Sequence, residues 1–81
     1  MLKIYGSQHC PDCVVCKNEL EAAGGAFVYM NISDSLLALK QFLKLRETEP
    51  LFEDIRSRGK IGIPCILRED GSVTFDWKEF L

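Results

Sequence analysis

Apolar and polar residues alternate in short blocks along this chain, and the spacing inside each block predicts its element. Leu2-Lys3-Ile4-Tyr5 is a brief apolar run closed by Gly6-Ser7, which predicts a first strand. From Pro11 to about Ala23 the spacing becomes helical. Cys13, Cys16, Leu20 and Ala23 share one stripe there, and Gly24-Gly25 provides the stop. Ala26 to Ile32, rich in aromatic and β-branched side chains, predicts a second strand.

A second helix is expected from Ser35 to about Glu47, capped by Ser33 or Asp34. Its buried stripe is expected to be Leu36, Leu39 and Leu43, with Lys40, Lys44 and Glu47 outside. Thr48-Glu49-Pro50 interrupts it. Pro50 then opens a shorter helix that turns Leu51, Phe52 and Ile55 inward and ends at Gly59. Gly62 to Leu67 predicts a third strand with Pro64 at its entrance. Asp70-Gly71 signals a hairpin into Val73-Thr74-Phe75, and Asp76 to Leu81 leaves one last helical turn. Trp77 and Phe80 are expected to cover the sheet edge, and Tyr5 to pack in the core. The order β-α-β-α(α)-β-β-α predicts an α/β fold. A right-handed crossover makes its first two strands parallel, and the hairpin adds an antiparallel pair.

Composition narrows the function classes. Eighty-one residues suffice for one domain, residues 1–81, and an apolar share of 47% can fill its core. The formal net charge is −2 and no basic cluster stands out, which argues against nucleic acid and anionic membranes as partners. No apolar run approaches the ~20 residues of a membrane span, and no signal-peptide pattern precedes Gly6, so a cytoplasmic protein is expected. Three of the four cysteines fall within seven residues. In a reducing compartment such a cluster points to catalysis or metal binding rather than to a disulfide scaffold.

The chemistry concentrates in Cys10-Pro11-Asp12-Cys13, where a strand passes into a helix. Two thiols at this spacing form a dithiol that can close into a disulfide. A sulfur at the helix start faces unpaired N–H groups and the positive end of the macrodipole, which favour the nucleophilic thiolate. Pro11 suits the first helical position, where its missing N–H costs nothing. Asp12 opposes thiolate formation by its charge, and His9 reads as a solvated loop histidine that can also assist the thiolate. Cys10 is therefore the candidate nucleophile and Cys13 the resolving thiol. Cys16 shares the stripe of Leu20 and reads as a small buried hydrophobe.

With these residues in place, the chain resembles the glutaredoxins of the thioredoxin-like superfamily. Cys10-Pro11-Asp12-Cys13 follows the first strand, Ile63-Pro64 opens the third, and Gly71 lies in the terminal hairpin. The resemblance implies a thioredoxin-like (glutaredoxin) fold: a four-stranded mixed sheet with helices on both faces. It implies a cis Ile63-Pro64 bond across from the dithiol, and a glutathione or substrate site formed by Ile63, Pro64, Gly71 and Ser72. It also implies a thiol–disulfide oxidoreductase acting on protein disulfides or glutathione mixed disulfides. Such an enzyme would hold no tightly bound cofactor, use glutathione as co-substrate or a flavoprotein reductase as donor, and act as a monomer. The chain departs from the family pattern in carrying Ser7 where a lysine is common and Asp12 where an aromatic is common. The segment between the second strand and Pro64 is also longer.

Two other readings stay open at the level of sequence. Cys10, Cys13, Cys16 and Cys65 offer a ligand set for zinc or an iron–sulfur cluster. Alternatively, the dithiol serves only as a redox-controlled interaction surface. Cys65, next to Pro64, reads equally as an auxiliary thiol and as a core residue.

Overall fold

The computed structural model describes residues 1–81. Strand β1 (Leu2–Gly6) lies between two partners. It pairs in parallel with β2 (Phe27–Asn31), Ile4 opposite Tyr29, and antiparallel with β3 (Cys65–Leu67), Ile4 opposite Ile66. Strand β4 (Val73–Thr74) closes the far edge, so the mixed sheet runs β2-β1-β3-β4. Helix α1 (Pro11–Ala22) joins β1 to β2. Helix α2 (Leu36–Thr48), a 3-10 turn (Pro50–Phe52) and α3 (Glu53–Ser57) join β2 to β3, and a 3-10 turn (Trp77–Phe80) ends the chain. This is an α/β protein with a four-stranded mixed sheet and three helices.

Neighbouring strand residues point to opposite faces, so β1 feeds two cores. Ile4 packs with Cys16 and Leu20 of α1 and with Ile66, and Trp77 and Phe80 lie against this cluster. Tyr5 faces the other way, into Phe42, Phe52 and Cys65. Here the rings of Tyr5, Phe42, Phe52 and Phe75 follow one another at centroid separations of 6.1, 5.8 and 5.1 Å, the last two edge to face. Burying each such side chain is worth about 1.5–3 kcal/mol, which pins α2 and α3 to this face of the sheet.

The aromatic cluster also explains where the structure departs from the sequence pattern. The buried face of α2 is Ala38 and Phe42 with Leu45 beside them, whereas Leu36 is 68% exposed and Leu43 also faces solvent. Leu-Leu-Ala-Leu-Lys-Gln-Phe-Leu-Lys-Leu has apolar residues on more than one helical face. Insertion of the Phe42 ring between Tyr5 and Phe52 selects the face. Leu51 is exposed while Phe52 takes the buried position, and Ala23, at the C-terminus of α1, is exposed too. The cap of α2 is Ser35, whose Oγ accepts the Ala38 N–H at 3.1 Å, rather than Ser33 or Asp34. Regular pairing of β3 begins only at Cys65. Gly62 has φ +92° and Pro64 has no N–H to donate, so residues 62–64 run up to the strand without joining its ladder.

Candidate dithiol site

The loop Gly6–Cys10 carries the chain from β1 to α1, and its order comes from Ser7. This serine is almost fully buried. Its Oγ shares a hydrogen bond with Ser33 Oγ at 2.5 Å and accepts the His9 N–H at 3.1 Å, while its carbonyl accepts the Cys10 N–H at 3.1 Å. At the position where a lysine is expected from the resemblance, this chain has an internal pin for the loop.

Cys10 occupies the N-cap of α1 in extended backbone (φ −106°, ψ 113°), followed by Pro11 in the first turn. Its Sγ accepts the Cys13 N–H at 3.3 Å, and its carbonyl accepts the Val14 N–H at 3.1 Å. The sulfur thus does what a serine or aspartate oxygen does at other caps, filling one of the orphan donors of the first turn. Cys10 is partly exposed, and all four cysteines are free thiols. Cys13 lies one turn further on with no exposed surface. Burial, and next a hydrogen bond with Cys10, push its thiol up to about 12, while a hydrogen bond with the Ser7 backbone acts in the opposite direction.

Close packing beneath this pair depends on Gly6. A Cβ there would lie 2.5 Å from Tyr29 Oη and 3.2 Å from Cys13 Cβ. Only a residue without a side chain lets β2 bring Tyr29 up to the start of α1. Burial pushes the Tyr29 hydroxyl up to about 12, with Cys13, Cys16 and Cys10 adding to it. The Lys17 ammonium stands 5.5 Å from the Tyr29 ring centroid and pairs with Glu21 at 3.2 Å.

Outward from Cys10 runs an open groove of about 910 Å³. One wall is the flank of α1: Asp12, Val15 and Glu19. The other is the segment Gly59–Pro64, and Phe75, Trp77 and Lys78 complete the lining. The Ile63–Pro64 bond is cis. The second wall is braced from behind, since Arg46 of α2 donates from Nε to the Ile61 carbonyl at 3.1 Å and from Nη2 to the Lys60 carbonyl at 2.5 Å. Arg56 in turn donates to the Arg46 carbonyl at 2.6 Å. Gly62 lets this wall press on the core, for a Cβ there would stand 2.6 Å from Phe52 Cε1.

Of the residues singled out from the sequence, Cys10, His9, Asp12, Ile63 and Pro64 line this groove, with Cys13 directly beneath Cys10. Three do not. Gly71 and Ser72 form the tip of the β3–β4 hairpin, where the Ser72 N–H and Oγ bond Asp70 Oδ1 at 2.9 and 2.6 Å and the Ser72 carbonyl accepts the Arg68 N–H at 2.8 Å. These bonds, Ser72's first, hold the Asp70 carboxyl below its ordinary range. The tip lies at the end of β3 remote from Pro64. With Leu67 opposite Val73 and Ile66 opposite Thr74, the chain draws level with Cys65 at Phe75 and with Pro64 only at Asp76. The groove therefore receives Phe75, Trp77 and Lys78 instead of Gly71 and Ser72. Cys65 is wholly buried among Tyr5, Phe42 and Phe52, and burial, then Glu49, push its thiol up to about 12. It is a core residue on the face away from α1.

Cys16 packs on that opposite face with Ile4 and Leu20, its thiol pushed up to about 11 by burial and then by Cys10 and Glu19. The sheet stands between Cys16 and Cys65. No three His, Cys, Asp or Glu side chains converge as a metal ligand set, so the four-cysteine site that the sequence left open is not formed. No helix is long and apolar enough to cross a membrane.

Val15 and Glu19 escaped the sequence reading although a signal existed. Asp12, Val15 and Glu19 follow one another at three and four residues, the helical stripe beside Cys13 and Cys16. Tyr29 had no such signal, because only the register of β2 on β1 brings it to the dithiol.

Fold and site together define a small α/β protein with a dithiol at a helix start, opening on a groove with a cis-proline in its wall. The chain belongs to the same family as a protein of Haemophilus influenzae described as uncharacterized. The two are 33% identical over 73 residues, which span 90% of this chain and 85% of that one. No family model matches the chain, and no solved structure matches it.

Proposed function

We propose that this protein is a glutaredoxin-like thiol–disulfide oxidoreductase with a thioredoxin-like fold, and that Cys10 and Cys13 are its redox pair. The observation that carries the reading is the position of Cys10: a partly exposed sulfur that caps α1, takes the Cys13 N–H, and faces an open groove. That sulfur stands at the positive end of the helix with one N–H aimed at it, and the thiolate is the form of a cysteine that attacks disulfides.

The Cys10 thiolate attacks one sulfur of a substrate disulfide. A Cys10–substrate disulfide forms, the substrate's own S–S bond breaks, and its other sulfur leaves as a thiolate that takes up a proton. Cys13 then loses its proton and attacks the Cys10 sulfur. The Cys10–Cys13 disulfide closes and the second substrate sulfur departs. The substrate gains two electrons and the protein loses two. Two glutathione molecules, or a flavoprotein reductase, return them. The groove receives the substrate chain, with Ile63 and Pro64 opposite Cys10 and apolar Val15, Phe75 and Trp77 beside it.

The reading is tested by glutathione-dependent reduction of a small disulfide, run beside a reductase-coupled assay. Cys10→Ser is expected to abolish reduction. Cys13→Ser is expected to keep the part in which glutathione itself resolves the mixed disulfide. Full turnover by Cys10→Ser would refute the assignment, and reversible oxidation without turnover on any disulfide would favour a redox-controlled interaction surface.

A further inference from the structure

The proposed exchange leaves one step without a chemical provision. Cys13 has no exposed surface, so its sulfur must become an anion where water does not reach it. Burial holds its proton on. The Ser7 backbone hydrogen bond favours the anion, but Cys10, whose sulfur accepts the Cys13 N–H in the resting dithiol, is tied up in the mixed disulfide at this stage.

A second polar group stands at the same place. Ile4, Gly6 and Tyr29 belong to the face of the sheet covered by α1, and the Tyr29 ring packs on the cluster of Ile4, Cys16 and Leu20. The missing side chain of Gly6 marks a point that both groups crowd, 2.5 Å from Tyr29 Oη and 3.2 Å from Cys13 Cβ. No hydrogen bond within the chain engages the Tyr29 hydroxyl, which keeps some contact with solvent, and the Lys17 ammonium stands 5.5 Å from the ring centroid. Its proton is firmly held, since burial and the neighbouring Cys13, Cys16 and Cys10 all disfavour the phenolate. It is a donor with no partner within the chain.

We infer that Tyr29 is a positioning residue for the resolving step: its hydroxyl turns to the Cys13 thiolate and stabilises it while that sulfur attacks Cys10. The inference rests on the dithiol reading above. The chemistry is unchanged by it. Cys13 gives up its proton, the Cys13–Cys10 bond forms, the Cys10–substrate bond breaks, and the departing thiolate accepts the proton. Tyr29 keeps its own hydrogen throughout and acts only by hydrogen bonding. Groups facing this point are Cys10, Cys16 and Lys17 from α1 and the Ser7 backbone from the loop.

The test separates the two steps. The reduced protein is mixed with one equivalent of an aromatic disulfide whose thiolate product is coloured. Cys10, the one thiol with exposed surface, releases the first equivalent on attack. Cys13 releases the second on resolution, and that anion leaves coloured while the Cys13 proton passes to buffer. Tyr29→Phe keeps the ring and deletes the hydroxyl. It is expected to slow the second phase about tenfold, as fits a lost hydrogen bond to a charged group, and to move the pH midpoint of that phase upward. The first phase is expected to change by less than about twofold, since Cys10 keeps the Cys13 N–H as its donor. Equal slowing of both phases, or an unaltered second phase with an unaltered pH profile, would overturn the role of Tyr29 and leave the dithiol reading standing. Absence of a second phase in the unmodified protein would instead overturn the dithiol reading.

Discussion

Replacing Gly6 by alanine puts a methyl group where the structure has no room for one. The new Cβ would stand 2.5 Å from Tyr29 Oη, 3.1 Å from Tyr29 Cζ and 3.2 Å from Cys13 Cβ. Overpacking of this kind costs about 1–3 kcal/mol. Against it, losing a glycine stiffens the unfolded chain and returns about 0.4–1 kcal/mol, because Gly6 is not in the left-handed region. A net loss on the order of 1–2 kcal/mol is expected, equivalent to roughly 4–16 °C in a domain of this size. The worst overlap is with a hydroxyl oxygen, so Tyr29→Phe should relieve it. Urea denaturation of Gly6→Ala, Tyr29→Phe and the double variant forms a thermodynamic cycle. Its coupling is expected to favour the double variant by about 0.5 kcal/mol or more, a size typical of residues in direct contact. Relief stays partial, since the ring carbon at 3.1 Å persists. Additive effects, or a Gly6→Ala protein as stable as the parent, would refute this view of how β2 meets the dithiol.

Two further predictions concern the wall and the buried thiols. Arg46→Ala removes both bonds bracing Lys60 and Ile61, so faster amide exchange across residues 59–62 and a higher KM in disulfide reduction are expected; Arg46→Lys should not restore them, since one ammonium does not reproduce the guanidinium fork. For pH, Cys13, Cys16 and Cys65 are all pushed up in the folded chain by burial, to about 12, 11 and 12. Between the ordinary thiol range near 8.5 and those values the unfolded chain binds fewer protons than the folded one, so stability falls as pH rises. Denaturation midpoints of the reduced protein should be level below the ordinary thiol range and decline steadily above it, and a midpoint that holds or rises through alkaline pH would contradict this.

Local pattern was enough to indicate the elements and the dithiol. A proline one residue beyond a cysteine, after a strand and before a helical stripe, specifies where α1 starts and which sulfur caps it, because capping is decided within four residues. The order of strands and helices, with the handedness of crossovers, likewise implied a mixed sheet with its first two strands parallel. What needed the tertiary structure was every choice between equivalent faces. Leu36, Leu43 and Phe42 offered α2 more than one apolar stripe, and the ring cluster around Tyr5 and Phe52 decided between them. Cys65 read equally as site or core until the pairing of Tyr5 with Cys65 put both on the α2 side. Gly71 and Ser72 were separated from the groove by the register of a short hairpin, and Tyr29 was brought to Cys13 by the register of β2. Register and facing depend on contacts between residues far apart in the chain, and no local spacing records them.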